Sequence, residues 1–193
     1  MRVAVSGTHC AGKSTLIEEF LLAHPEFGHE PEPYMVLTED YGEVFAARPS
    51  AEDFYRQLEF NVDRLRHYEA GDLVIFERCP VDFLAYMLAL TDLGRDAYAT
   101  GVIENSLRIV TAALELLDLI VFLPLNGVFT SVASGVEDLE LRTVVDDRLA
   151  GLLRDDDLNL FTSSHPQVVE VNGSTAMRLE MVERALLTKP TNG

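Results

Sequence analysis

Short apolar runs separated by longer amphipathic stretches constrain the fold of this chain more than any other feature. Apolar runs of about four to eight residues fit buried strands, and apolar residues recurring every three or four positions fit helices. Strands that alternate with helices form a parallel sheet covered by helices on both faces. The predicted strands are residues 2–6, 27–33, 72–77, 119–123 and 168–171, and the predicted helices are residues 13–23, 51–69, 81–93, 97–116, 139–154 and 175–187.

Charge and composition exclude several classes of partner. The 193 residues carry a net charge of −17, and the chain has two lysines, Lys13 and Lys189, with its arginines scattered along the sequence. We therefore expect no nucleic-acid polymer as a partner. No apolar stretch approaches the roughly 20 residues needed to cross a bilayer, so we expect a cytoplasmic protein with no membrane partner. Cys10 and Cys79 are too few for a disulfide framework and are expected to be buried or partly buried free thiols.

The stretch SGTHCAGKST, residues 6–15, lies between the first predicted strand and the first predicted helix. It satisfies the pattern G-x-x-x-x-G-K-[ST], in which glycines let backbone N–H groups point into one concavity at a helix N-terminus. We expect Lys13 to bridge the β- and γ-phosphates of a nucleoside triphosphate and Ser14 to bind Mg²⁺. The alternative is a tight turn capped by Ser14 or Thr15. The residues expected to hold the phosphates are Gly7, Thr8, His9, Cys10, Ala11, Gly12, Lys13, Ser14 and Thr15.

Glu77 and Arg78 end the third predicted strand, at the sheet edge where ligands are expected. A carboxylate there can hold Mg²⁺ directly or through water, opposite Ser14. An arginine beside it can reach a transferring phosphoryl group, on which negative charge builds in the transition state. The alternative is a surface ion pair just past a strand.

The phosphate loop and the segment ERCPVD, residues 77–82, together resemble the deoxynucleoside kinase and thymidylate kinase superfamily. The longer stretch ERCPVDFLAY is also similar to P-loop proteins related to nicotinamide riboside kinases, which are described as AAA-type ATP/GTP-binding domains. The resemblance implies a three-layer α/β/α P-loop NTPase fold whose five-stranded parallel sheet has the order 2-3-1-4-5. It also implies ATP as the phosphoryl donor, with GTP as an alternative, and Mg²⁺ as cofactor.

The segment PEPY, residues 31–34, resembles the end of the second strand in deoxynucleoside kinases. A glutamate there acts as base toward the acceptor hydroxyl, which implies that role for Glu32 and puts Tyr34 among the acceptor-binding residues. Glu30 would point to the same side of an extended chain, so either carboxylate could be the base. The alternative is an exposed turn whose prolines end an edge strand.

Gln57 and Arg64 lie seven residues apart, about two turns, on one face of the helix predicted at residues 51–69. Deoxynucleoside kinases show a similar pair, and the resemblance implies that Gln57 hydrogen-bonds the base of the acceptor, with Arg64 close by. Asp82 stands one position short of the family's base-contacting aspartate, and the resemblance implies an acceptor-binding role for it. Cys79 stands where the family has serine. The alternative is a solvated polar helix face.

Kinases of this shape close an arginine-bearing lid over the phosphates to exclude water. The resemblance implies one domain over residues 1–188, with the lid at 126–157 and a flexible tail at 189–193. Among the lid arginines we expect Arg142 to reach the phosphates first and Arg148 second.

Gly173 lies in the loop after the fifth predicted strand, where related folds seat the adenine. The alternative is a plain turn whose Ser174 caps the last helix.

The sequence thus predicts a Mg²⁺-dependent kinase that moves the γ-phosphoryl group of ATP to a small acceptor, a nucleoside or nucleotide. One rival is a regulatory protein that binds an NTP or hydrolyses it slowly. Another is a kinase for nicotinamide riboside or a different metabolite. A homodimer formed through the helix at 97–116 is a further hypothesis.

Overall fold

A parallel sheet of five strands lies at the centre of the protein, which the computed structural model describes over residues 1–46, 48–96, 99–125, 138–161 and 166–188. The strands pair in the order β2-β3-β1-β4-β5, which confirms the predicted order. The central strand is apolar because it is covered on both faces. The strands are β1 (Arg2–Ser6), β2 (Gly28–Glu30), β3 (Val74–Glu77), β4 (Leu119–Phe122) and β5 (Gln167–Glu170).

Helices cover both faces of the sheet. Because successive side chains of a strand point to opposite faces, Val3 and Val5 of β1 pack beneath two helices, while Ala4 faces the other layer. The first layer is formed by α1 (Lys13–Ala23) and α7 (Thr175–Leu187). The opposite side of the fold contains α2 (Pro33–Glu39), α3 (Ala51–Arg66), α4 (Pro80–Asp92), α5 (Ala99–Leu114) and α6 (Leu139–Ala150), which is followed by a π-helical turn (Gly151–Asp155).

The structure departs from the sequence prediction at two elements. The second strand ends at Glu30, and Pro33 begins α2, a helix of seven residues that was not predicted. Proline suits the first turn of a helix because the N–H it lacks has no intrahelical partner there. The predicted helix 139–154 divides after Ala150, and the π-helical turn begins at Gly151. The first part of the predicted lid, residues 126–137, and the predicted tail lie outside the described residues.

Cys10 and Cys79 are free thiols; Cys79 is buried as expected, whereas Cys10 is exposed because it lies in the loop after the first strand. Within the described ranges no helix has the length and apolarity required to cross a membrane.

Candidate functional site

The loop between β1 and α1 winds around the side chain of Lys13. Its Nζ donates a hydrogen bond to the Thr8 carbonyl oxygen at 2.9 Å, and the side chain is buried. Burial, with a further contribution from the charge of Arg78, lowers the pKa of Lys13 to about 8. Phosphate oxygens next to Nζ would favour its charged form. The Lys13 ammonium therefore has too little negative charge around it to keep its ordinary pKa.

Two glycines of this loop have no room for a side chain. A Cβ on Gly7 would lie 2.7 Å from the Leu123 carbonyl oxygen, and a Cβ on Gly12 would lie 2.9 Å from Nη1 of Arg178. Gly12 also has a φ of +93°, which glycine adopts without strain. The backbone of the predicted phosphate loop is therefore curved, and Leu123 and Arg178 pack closely against its outer side.

Arginines from two later helices hold the loop from outside. Arg142 of α6 donates to the Cys10 carbonyl oxygen at 3.3 Å, and Arg178 of α7 donates to the Ala11 carbonyl oxygen at 3.0 Å. Both side chains are buried. Sequence reasoning missed Arg178, although it shares the inward face of α7 with Val182, and an arginine on an inward face was the available signal.

Asp82 fastens the phosphate loop to the start of α4. Its side chain is fully buried, with Oδ1 accepting from the Gly7 N–H at 2.9 Å and Oδ2 accepting from the Cys79 N–H at 2.7 Å. Burial raises the pKa of Asp82, and the charge of Arg78 opposes that shift. These bonds hold Asp82 between the loop and α4, outside the lining of the cavity described below, and its role in substrate binding stays a prediction.

Ser14 and Glu77 form the candidate Mg²⁺ site. The Ser14 hydroxyl donates to Oε1 of Glu77 at 2.8 Å, at the N-terminus of α1. Mg²⁺ uses one or two protein oxygens and completes its shell with phosphates and waters, so this pair fits the ion. Among the described residues there is no cluster of three or more His, Cys, Asp or Glu side chains that would hold a metal by themselves.

Arg78 joins the phosphate loop to a neighbouring carboxylate. Its Nε donates to Oε1 of Glu32 at 2.7 Å, and its Nη1 donates to the Gly7 carbonyl oxygen at 2.8 Å. Burial opposes the charge of Arg78, but Glu32, Tyr86 and Asp82 outweigh it and raise the pKa of the guanidinium. Burial likewise opposes the charge of Glu32, yet Arg78 and Lys13 lower the pKa of that carboxylate. Both groups are therefore ionised at neutral pH.

A cavity of about 470 Å³ opens beside this ion pair. The rings of Phe54 and Tyr86 stack with centroids 4.6 Å apart, and the Tyr86 hydroxyl accepts from the His9 N–H at 3.2 Å. The cavity thus touches the phosphate loop through Tyr86 as well as through Arg78. Its lining residues are His9, Glu32, Tyr34, Met35, Phe45, Ala46, Pro49, Asp53, Phe54, Gln57, Arg78, Phe83 and Tyr86.

The cavity contains three of the predicted acceptor residues, Glu32, Tyr34 and Gln57. It does not contain Arg64, whose Nε donates to Oε2 of Glu30 at 2.8 Å outside the lining. The buried Glu30 carboxylate also accepts from the hydroxyl of Tyr68. Glu30 is thereby bound away from the cavity, and the place of Arg64 beside the acceptor stays a prediction.

The other predicted residues lie farther along the chain. Arg148 binds Asp92 of α4 with an Nη2–Oδ1 distance of 2.5 Å, and its contact with the phosphates stays a prediction. Gly173 has a φ of +86° and precedes Ser174, whose hydroxyl accepts from the Met177 N–H at 3.4 Å and caps α7. The cap is thus observed, and adenine binding near Gly173 stays a prediction.

Solved structures share this fold. The deoxyadenosine kinase from M. mycoides with bound dATP is 14% identical with a TM-score of 0.66, covering 97% of this chain and 100% of that chain. The thymidylate kinase from Candida albicans is 14% identical with a TM-score of 0.64, covering 97% and 91%. The NadR protein in complex with NAD and AMP-PNP is 14% identical with a TM-score of 0.65, covering 100% and 51%. These likenesses show the fold of P-loop nucleoside and nucleotide kinases.

No curated protein matches the sequence. The family comparison matches residues 2–178 to AAA_28, described as an AAA domain. That range contains the phosphate loop, the residues around the cavity and the arginine of α7 that contacts the loop. The chain therefore belongs to the AAA_28 family of AAA domains.

Proposed function

We propose that this protein transfers the γ-phosphoryl group of Mg²⁺-bound ATP to a small nucleoside-like or nucleotide-like acceptor. The observation that carries the proposal is the position of Arg78, which binds Glu32 in the cavity and the Gly7 carbonyl oxygen in the phosphate loop. The Arg78 guanidinium therefore lies between the cavity that would hold the acceptor and the loop that would hold the phosphates. A protein that only binds or hydrolyses an NTP has no need of this second cavity.

The proposed chemistry divides among a few side chains. Mg²⁺ bound at Ser14 and Glu77 would supply charge neutralisation on the β- and γ-phosphates. Lys13 orients the same phosphates, and Arg142 reaches the loop from α6 and completes the cationic surround. Glu32, ionised beside Arg78, takes the proton of the acceptor group, a role that depends first on geometry.

Solved structures of the same fold hold ATP-like ligands, dATP in one and AMP-PNP in another, which supports ATP as donor. Residues 126–157 are proposed as the lid, with α6 as its described part. The aromatic lining of the cavity supports a planar acceptor, since flat heterocycles stack on such rings.

The test is ADP release from Mg·ATP in the presence of nucleosides, nucleoside monophosphates or nicotinamide riboside. We expect one acceptor class to stimulate turnover, Lys13→Ala to abolish it and Glu32→Gln to lower kcat by about 100-fold or more. The matched control is Glu180→Gln, which breaks an exposed carboxylate–arginine pair on α7 and should leave kcat unchanged. Tight ATP binding without stimulation by any acceptor would favour the regulatory NTP-binding protein instead.

A further inference from the structure

The charges around the acceptor cavity select the kind of molecule that can enter it. Its lining contains two carboxylates, Glu32 and Asp53, against one guanidinium, Arg78, and one imidazole, His9. The Arg78 guanidinium pairs with Glu32 at 2.7 Å and lies 3.7 Å from Asp82, which is outside the lining. The carboxylates of Glu32 and Asp82 therefore both neutralise the charge of Arg78. The lining therefore offers an arriving anion no uncompensated guanidinium.

Three basic side chains near the cavity have contacts outside it, and a fourth borders a different cavity. Lys13 donates to the Thr8 carbonyl inside the phosphate loop, and Arg64 is bound by Glu30 outside the lining. Arg142 contacts the Cys10 carbonyl oxygen on the loop, where it serves the donor phosphates. Arg48 borders a different cavity, which it shares with Arg95 and Asp138.

The parts of the chain outside the described ranges add little positive charge. Residues 126–137, with the sequence NGVFTSVASGVE, contain neither lysine nor arginine. Lys189, in the C-terminal five residues, is the only lysine or arginine that falls outside the described ranges. Residues 126–137 therefore have no basic side chain to offer to a second phosphate group.

We propose that the acceptor is an uncharged or cationic molecule with a free hydroxyl and no phosphate group. A phosphomonoester carries between one and two negative charges at neutral pH and would meet Glu32 and Asp53, while the guanidinium of the lining is already paired with Glu32. A neutral acceptor can instead bind through the amide of Gln57, a buried group that carries no charge. This inference rests on the proposed kinase function and names the substrate class of that same site.

The proposed phosphoryl transfer needs no reactant besides ATP and the acceptor. The acceptor oxygen forms a bond to the γ-phosphorus, while the bond from that phosphorus to the β–γ bridging oxygen breaks and its electron pair leaves with ADP. The hydroxyl proton moves to Oε2 of Glu32, since Oε1 is bound by Arg78. A phosphate acceptor that is fully ionised has no such proton to give, so a carboxylate at this position serves a hydroxyl acceptor.

The experiment compares matched pairs on the wild-type chain with Mg·ATP: each nucleoside with its 5′-monophosphate, and nicotinamide riboside with its mononucleotide. Calorimetry measures binding, and coupled ADP release measures turnover. We expect turnover with one or more unphosphorylated members and about 100-fold weaker binding of each monophosphate partner. Equal or better turnover of a monophosphate would overturn the inference and leave the proposed function standing. Turnover with neither member of any pair, despite Lys13-dependent ATP binding, would overturn both.

A variant tests the electrostatic reason separately. Glu32→Gln removes one negative charge and releases Arg78, so monophosphate binding should tighten about tenfold while turnover of the nucleoside falls. A purely structural role for Glu32 would weaken both ligands together. Glu180→Gln is the control and should change neither affinity. Unchanged monophosphate binding in a folded Glu32→Gln protein would contradict the charge argument, and the wild-type comparison decides the inference if that variant does not fold.

Discussion

Arg78 has the most positive φ of the described residues other than glycine, at +91°. Such a conformation costs about 1–3 kcal/mol for an ordinary residue and persists only where surrounding contacts enforce it. Here the backbone N–H donates to the Val5 carbonyl oxygen, and the side chain binds Glu32 and Gly7. The strained backbone turns the guanidinium from the end of β3 back toward the phosphate loop, where the proposed reaction needs it.

We expect the binding of a nucleotide to depend on pH through Lys13. Its pKa of about 8 means that the charged form, which attracts phosphate, is lost as the pH rises through that value. We expect the Kd for Mg·ATP to weaken about tenfold between about pH 7 and about pH 9, measured by calorimetry. An affinity that does not change over this range would show that the ammonium stays charged without phosphate.

The same residue should affect the stability of the nucleotide-free protein. Between about pH 8 and its ordinary value of 10.5, Lys13 binds fewer protons in the folded state than in the unfolded state. The free energy of unfolding therefore gains a contribution that rises with pH through this window. Chemical denaturation of Lys13→Met, which has no group to titrate, is expected to lack that contribution, and a variant with the full rise would exclude Lys13 as its source.

At the scale of elements, α6 presents two arginines with different surroundings. Arg142 is 4% exposed and contacts the phosphate loop, whereas Arg148 pairs with Asp92 at the surface. We expect Arg142→Ala to lower kcat about 100-fold, a typical loss for one group that stabilises transition-state charge. Arg148→Ala should stay within about twofold of the wild type in the same steady-state assay. The reverse result would mean that Arg148 leaves Asp92 and reaches the phosphates.

Local sequence signals located some elements closely and missed others. Helices α1 and α7 begin and end at the predicted residues, since the glycine turn before Lys13 and the cap at Ser174 are short-range features. Helix α2 was missed because Pro33 was interpreted as the end of an edge strand when it is the first residue of a helix. Proline fits both places, and seven residues are too few for a helical period to decide between them.

In the candidate site, too, residues of a local motif could be predicted from the sequence, whereas contacts between distant residues could not. A motif predicted the Lys13 and Ser14 positions, but no local pattern pairs Glu30 with Arg64, which lie 34 residues apart. The position of Arg178 against the phosphate loop likewise arises only when α7 packs beside α1. Long-range contacts of this kind decide which side chains line the cavity and which pack elsewhere, and sequence spacing alone does not reveal them.

At the scale of the molecule, the net charge of −17 works against the folded state because like charges repel in a small volume. Raising the salt concentration from about 10 mM to about 150 mM shortens the screening length from about 30 Å to about 8 Å. We expect the midpoint of urea denaturation at pH 7 to rise over this range. A falling midpoint would mean that attractive pairs such as Arg148–Asp92 outweigh the repulsion.

The shared contacts of Arg78 and Tyr86 have a thermodynamic consequence for the whole protein. Each side chain touches the phosphate loop at one end and the acceptor cavity at the other. If ATP changes the affinity for the acceptor by some factor through these contacts, the acceptor must change the affinity for ATP by the same factor. Donor and acceptor are then reciprocal effectors of one another, and an apparent affinity measured for either has meaning only at a stated concentration of its partner.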